Sequence, residues 1–135
     1  HKRKIEFSET IVVTDAITSK RNDSKNHLFR LHWLFPDQQF RILNNGIQLQ
    51  NTRLRFEAPQ EVSLRVIRSG KIVFKTDGNN WDESLEKRIQ PISGWFSPTY
   101  DKKVPAISLI AIWRSPVPFT VKSIFSISKD TDQAN

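Results

Sequence analysis

Hydrophobic and polar positions along the chain fall into short segments that turn residues separate. No window of about 12 residues keeps the apolar spacing of an amphipathic helix, whereas apolar or alternating segments recur about every 8–12 residues. Such spacing is typical of antiparallel β-proteins. The sequence therefore predicts an all-β fold, an antiparallel β-sandwich domain over residues 1–128, followed by a polar tail at residues 129–135.

The strongest strand signals lie at residues 27–35 and 104–113. In the first segment, alternate positions share one face: Phe29, Leu31, Trp33 and Phe35. The second segment is apolar on both faces, which predicts a central strand covered on both sides. Further strands are predicted at residues 10–17, 62–67, 71–75 and 119–128.

Turn residues divide these strands. Asn44-Asn45-Gly46 and Ser69-Gly70 predict hairpin turns, since Asn and Gly tolerate positive φ. Pro36-Asp37 is predicted to end the strand that begins at His27. Residues 77–103 hold turn residues and an acidic cluster, and they predict a long ordered loop around one short strand.

The charge of the chain adds a candidate class of partner. Lys and Arg number 21 against 14 Asp and Glu, and the formal net charge is +7. The excess lies in residues 1–75, which carry 14 basic and 7 acidic side chains. Such a surface attracts an acidic polysaccharide, a nucleic acid or a membrane surface; the alternative is a basic surface that maintains solubility.

The composition also excludes several classes of protein. Without Cys there is no disulfide and no thiolate zinc site. The longest apolar run is interrupted by Pro105 and Ser108 and is too short to cross a bilayer, so no membrane insertion is predicted. No cofactor-binding motif is present. Met is absent as well, which suggests that the chain is part of a larger one.

Five cations form a candidate ligand-binding patch. Alternation on the predicted strands points them away from the apolar side chains: Arg53, Arg55, Arg65, Lys71 and Lys75. If their strands are neighbours, they share one sheet face, where guanidinium groups bind carboxylate or sulfate bidentately. An ordinary polar sheet face is the alternative. Nucleic acid is disfavoured because no aromatic side chains alternate with these cations on the exposed face.

Candidates for catalysis and metal binding are weak. His27 and His32 point to opposite faces of their strand, so they do not form a metal site there. His32 is a weak candidate for a general base, and a polar residue on an outer face is the favoured interpretation. Tyr100, near Lys102 and Lys103, is a weak candidate for a catalytic tyrosinate. A packed, hydrogen-bonded loop anchor is favoured for it.

Several segments, in order, resemble the C-terminal β-sandwich of the heparinase II/III-like family. They are residues 1–7, 11–17 and 27–37, then Gly94-Trp95-Phe96-Ser97-Pro98-Thr99-Tyr100, then Val104-Pro105-Ala106-Ile107-Ser108-Leu109. The glycine-containing segment resembles the family's Gly-Trp-x-Ser-Pro-x-Tyr loop. The match covers roughly residues 1–127.

The resemblance implies a module of a polysaccharide lyase, which cleaves heparin, heparan sulfate or alginate by β-elimination. It implies upstream catalytic domains that supply the reaction's tyrosine, histidine and asparagine, so no catalytic role passes to His32 or Tyr100. It also implies a periplasmic or secreted location, and Trp33 and Phe35 as sandwich core. Two alternatives stay open. One is a stand-alone carbohydrate-binding module. The other is a structural interface domain that packs through Trp95, Phe96 and Trp113.

Overall fold

The structure is a computed structural model that describes residues 1–20, 25–76 and 83–127. Within these ranges there are eleven strands, one α-helix and a 3-10 turn. The strands are β1 Lys2–Phe7, β2 Ile11–Ile17, β3 His27–Pro36, β4 Arg41–Leu43, β5 Gly46–Gln48, β6 Thr52–Glu57, β7 Ser63–Arg68, β8 Lys71–Lys75, β9 Trp95–Thr99, β10 Lys102–Ser115 and β11 Phe119–Ile127. The helix α1 is Glu83–Ile89, and the 3-10 turn is Gln90–Ile92.

The predicted class, an all-β antiparallel β-sandwich, is confirmed. Sheet A has the order β1-β2-β11-β6-β5-β4, and sheet B has the order β3-β10-β7-β8 with β9 paired to β10. The chain divides into two compact units. One comprises His1–His27, Gln39–Glu61 and Ser115–Asn135; the other comprises Leu28–Gln38 and Val62–Arg114. The single domain over residues 1–128 stays a prediction, and the predicted tail at residues 129–135 lies outside the described residues.

In sheet A, the strand register assigns each side chain to one of two faces. Residues directly opposite one another on neighbouring strands point the same way. One face is apolar and largely buried, with Val13, Ile47, Leu54, Phe56 and Val121. The other face, called the outer face below, carries the exposed polar positions of β1, β6 and β11. This alternation follows directly from the period of two in the sequence.

In sheet B, β10 lies between β3 and β7, and every residue from Ala106 to Trp113 is buried. The prediction of a central strand covered on both sides is confirmed. On one face, Leu85 and Ile89 of α1 pack against Ile67, Ile110 and Ile112. The helix corrects the prediction of a long loop around one short strand at residues 77–103, whose residues 77–82 lie outside the described ranges.

Strand β3 behaves as its alternation predicts. Its residues alternate between exposed and half-buried, and it ends at Pro36. Trp33 and Phe35 lie on the less exposed face but are only half-buried, because β3 is at one end of the order in sheet B. Among the described residues, no helix combines the length and the apolar character that crossing a membrane requires.

Both predicted hairpins form, but for different reasons. Ser69 and Gly70 have φ of 53° and 75°, the left-handed pair that a tight turn between β7 and β8 needs. In the β4–β5 hairpin the turn residues are Asn44 and Asn45, and Gly46 already belongs to β5. A Cβ at Gly46 would lie 1.9 Å from the Leu54 carbonyl oxygen. Close approach to β6, and not positive φ, therefore requires this glycine.

Candidate functional site

The five cations of the predicted patch do not share one sheet face, and this part of the prediction is wrong. Arg53 and Arg55 lie on β6 in sheet A, whereas Arg65 lies on β7 and Lys71 and Lys75 on β8 in sheet B. The chain changes sheet between β6 and β7. The role of Arg53 and Arg55 in ligand binding stays a prediction.

Arg65 is buried, with only 5% of its surface exposed. Its Nε donates to Glu86 Oε1 at 2.9 Å, and its Nη1 donates to the carbonyl oxygens of Leu64 and Thr76, both at 3.0 Å. The helix α1, which carries Glu86, covers the sheet face that the alternation had assigned to solvent. Arg65 is therefore committed to the fold and does not face a ligand.

Lys71 and Lys75 are exposed on β8. Lys75 is opposite Arg65, and Lys71 is opposite Arg68. Arg68 donates to both carboxylate oxygens of Asp37, at 2.7 and 2.5 Å. This hydrogen bonding lowers the pKa of Asp37 and raises the pKa of Arg68. In the described strands, the register does not group Lys71 or Lys75 with a larger set of exposed cations.

On the outer face of sheet A, by contrast, the register gathers cations from four strands. Lys122 of β11 lies between Glu57 of β6 on one side and Thr14 of β2 on the other. On the far side of Thr14, Lys4 of β1 lies opposite it. Among the described strand positions that the register assigns to this face, the ionisable side chains are Lys2, Lys4, Glu6, Arg41, Arg53, Arg55, Glu57 and Lys122. Six cations and two carboxylates give this face a formal charge of +4.

Arg53 is held in position by a neutral neighbour. Its Nε donates to Gln48 Oε1 at 2.8 Å. The Gln48 amide nitrogen in turn donates to the carbonyl oxygen of Leu49 at 2.7 Å and to that of Thr52 at 3.4 Å. A neutral acceptor orients the guanidinium without cancelling its charge. The two terminal amino groups of Arg53 therefore form a positioned pair of donors.

The other outer-face cations keep their charge largely uncompensated. Within residues 1–20, 25–76 and 83–127, Arg41, Arg55 and Lys122 form no ion pair with a carboxylate. The Lys4 Nζ lies 3.7 Å from Glu6 Oε1, and both side chains are well exposed. Exposed pairs of this kind contribute little and are screened by salt. This face can therefore attract an anionic ligand.

Sequence reasoning missed Lys2, Lys4, Arg41 and Lys122 as members of this group. Lys122 has a readable signal, because it alternates with Val121 and Ser123 and so points away from the core. Its proximity to Arg55 has no such signal, since the pairing of β11 with β6 joins segments far apart in the chain.

His32 takes part in a hydrogen-bonded network within sheet B. Its Nε2 lies 2.7 Å from Ser108 Oγ, which also accepts from the Gly94 backbone N–H at 2.8 Å. Partial burial of the ring, followed by the nearby Arg30 charge, lowers the pKa of His32. Ser108 is 0% exposed, so this Ser-His pair presents no accessible nucleophile. The contact links β3, β10 and the segment before β9.

Tyr100 lies in the turn between β9 and β10 and is fully exposed. The expectation of a packed loop anchor is therefore wrong. Nearby, Lys103 Nζ lies 4.2 Å from the centre of the Trp95 ring, which is a cation–π distance. Among the described contacts, no cationic side chain is placed on the Tyr100 hydroxyl.

The alternative of a structural interface domain relied on Trp95, Phe96 and Trp113, and only one of these three side chains is clearly exposed. Phe96 is 50% exposed, whereas Trp113 is buried in β10 and cannot pack on another domain. Phe96 borders an apolar groove of about 300 Å³, lined by Leu34, Phe35, Pro36, Asp37, Phe96, Val104 and Pro105.

No group of three or more His, Cys, Asp or Glu side chains that could hold a metal ion occurs in the described part of the chain. No protein-family model, curated protein or solved structure matches the sequence. The outer face of sheet A is accordingly characterised by its own geometry: a fixed arginine and neighbouring exposed cations on a regular strand lattice.

Proposed function

We propose that the chain is a non-catalytic β-sandwich module that binds an acidic polysaccharide on the outer face of sheet A. In this proposal it belongs to a heparinase II/III-like lyase, whose upstream domains perform β-elimination outside the cytoplasm. The observation that carries the binding role is the convergence of Arg53, Arg55 and Lys122, from strands β6 and β11, on one exposed face.

The chemistry of the face favours sulfate or carboxylate groups. Arginine binds these planar or tetrahedral anions through two parallel N–H donors, and lysine adds charge without geometric demand. No aromatic side chain lies among the outer-face positions assigned by register. A single-stranded nucleic acid would need such a ring for stacking, so the polysaccharide is the better ligand.

Salt-dependent binding to heparin tests this proposal. The 135-residue chain is expected to bind immobilised heparin at low ionic strength, and the triple variant Arg53→Ala, Arg55→Ala, Lys122→Ala to elute at clearly lower salt. By analogy with other polyanions, the slope of log K against log salt should become shallower by about two to three.

The matched control is the double variant Lys71→Ala, Lys75→Ala, which removes exposed cations from sheet B instead. Its elution is expected to shift much less. Absence of retention by the parent chain, or equal shifts for the two sets of variants, would refute the proposal. A single-stranded DNA of similar charge that binds more tightly than heparin would replace polysaccharide with nucleic acid as the ligand. The upstream sequence separates a lyase module from a stand-alone binding module.

A further inference from the structure

We infer that the polysaccharide crosses the strands of sheet A diagonally, along a track of five cations. This inference rests on the proposed function and specifies how the same face is used. In order across the sheet, the track is Lys4 of β1, Lys122 of β11, Arg55 and Arg53 of β6, and Arg41 of β4.

The strand lattice sets the spacing of these positions. Lys4 and Lys122 are opposite Thr14 on either side, so their backbones lie two strand spacings apart, about 10 Å. Lys122 to Arg55 is a diagonal step to the neighbouring strand, about 8 Å, and Arg55 to Arg53 is about 7 Å along β6. Arg53 and Arg41 flank Gln48, again about 10 Å apart.

These steps give a track of about 25–30 Å between its ends. Each step is close to the Debye length of about 8–10 Å at moderate salt, so neighbouring cations act on the same stretch of a polyanion. A linear chain with repeated charges can follow such a line. A compact anion can contact only one or two of its members.

The two carboxylates of the face support the diagonal direction. Glu57 lies beside Arg55 on β6, in the row of Lys122, and Glu6 lies beside Lys4 on β1, in the row of Arg55. They are therefore on opposite sides of the track. Glu57 repels a polyanion that continues straight along the row of Lys4 and Lys122, and Glu6 repels one that continues straight along the row of Arg55 towards β1.

Arg53 is the geometrically fixed member of the track. Gln48 occupies the Arg53 Nε, so a ligand sulfate or carboxylate meets the two terminal amino groups in a set orientation. Gln48 is thus a positioning residue. Because lysine lacks this fork, Arg53→Lys should weaken binding nearly as much as Arg53→Ala.

The test measures affinity against ligand length. Isothermal titration of the 135-residue chain uses size-fractionated heparin oligosaccharides whose extended lengths run from about half to about twice the track. Affinity per chain should rise until the ligand spans the track and then level off. The end variant Lys4→Ala, Arg41→Ala should lose affinity only for the long ligands, and its salt slope with them should fall by about two.

A second variant tests the path itself. Glu6→Gln with Glu57→Gln should tighten binding and broaden the set of paths. Heparin should then perturb the backbone amide resonances of residues 6 and 57, which lie off the track, more than it does in the parent protein. If heparin binds but short and long oligosaccharides bind equally, or if the end variant weakens them equally, the track is wrong while the proposed function stands. If the parent chain binds no oligosaccharide, the proposed function itself fails. If Gln48→Met leaves the preference for arginine over lysine at position 53 unchanged, the positioning role is wrong.

Discussion

The guanidinium of Arg65 donates to the carboxylate of Glu86 at 2.9 Å, with Arg65 buried and Glu86 partly exposed. The contact joins strand β7 to helix α1. It shows that a cation placed on the polar side of a strand by alternation can serve the folding of the chain, because a second element covers that side.

Arg65→Ala should therefore destabilise the protein without altering ligand binding directly. The change leaves a partly desolvated carboxylate at Glu86 and removes the buried donor to the carbonyl oxygens of Leu64 and Thr76, at a cost of about 2–4 kcal/mol. Glu86→Gln, which keeps an acceptor for Arg65, should cost less. Urea denaturation provides the free energies, and Arg55→Ala is the control, expected to stay within about 0.5 kcal/mol of the parent. Equal losses for Arg65→Ala and Arg55→Ala would contradict this account.

Gly46→Ala should disrupt the contact between β5 and β6. The new Cβ would overlap the backbone of Leu54, which cannot rotate away, so strand pairing must shift at a cost of about 3 kcal/mol or more. Thermal unfolding followed by circular dichroism measures the loss. Thr120→Ala, at an exposed position of β11, is the control and should leave the midpoint nearly unchanged. A Gly46→Ala midpoint equal to that of the control would show that the close approach is absent in solution.

Stability should fall in mild acid because of His32. Its pKa in the folded protein is below the value of about 6.5 expected in the unfolded chain, so the unfolded state binds its proton first. The stabilisation that the neutral His32 ring provides is complete above about pH 6.5. It is lost as the pH falls through the lower pKa that His32 has in the folded protein. His32→Gln should flatten this part of the profile of unfolding free energy against pH. A variant as acid-sensitive as the parent between pH 7 and 5 would exclude His32 as the cause.

Ser108→Ala should weaken the junction of β3, β10 and the segment before β9. The change leaves the buried Gly94 N–H without its acceptor and His32 Nε2 without its partner, at a cost of about 1–3 kcal/mol. Hydrogen exchange should rise most at the Gly94 amide. Ser97→Ala, at an exposed position of β9, is the comparison. Unchanged protection of Gly94 would mean that the network is not formed.

The isolated chain should yield no unsaturated uronic acid product from heparin, heparan sulfate or alginate. His32 is engaged with a buried serine, and Tyr100 is exposed in a turn without a cationic group placed on its hydroxyl among the described contacts. Ultraviolet absorbance of the product is the measurement. A steady rise that Tyr100→Phe or His32→Gln abolishes would make this chain an enzyme in its own right.

Local patterning predicted much of the fold. The alternation in β3 and the doubly apolar β10 could be read because a strand's faces follow from neighbouring residues alone. Helix α1 could not be read, since its seven residues contain only two buried apolar anchors, Leu85 and Ile89, which is too short for a periodic signal.

The candidate site was predicted in part, for a related reason. The outward direction of Arg53 and Arg55 follows from parity, and the structure retains it. The neighbours of β6 in the sheet are set by pairing between segments that are distant in the sequence. This pairing brings Lys122 to a position diagonal to Arg55, whereas Lys71 and Lys75 lie in the other sheet. Arg65 was assigned to solvent because the sequence gives no sign of the helix above it.

Strand β1 is at the end of the order in sheet A, and all six of its residues are exposed. An edge strand with open backbone groups is a template on which a second molecule can assemble. Arg3 is paired with Asp15, but Lys2 and Lys4 place like charges along this edge, so two such edges repel each other on approach. The basic character on which the proposed binding of a polyanion rests therefore also opposes edge-to-edge aggregation, and saturating the edge with heparin at low salt should remove that protection.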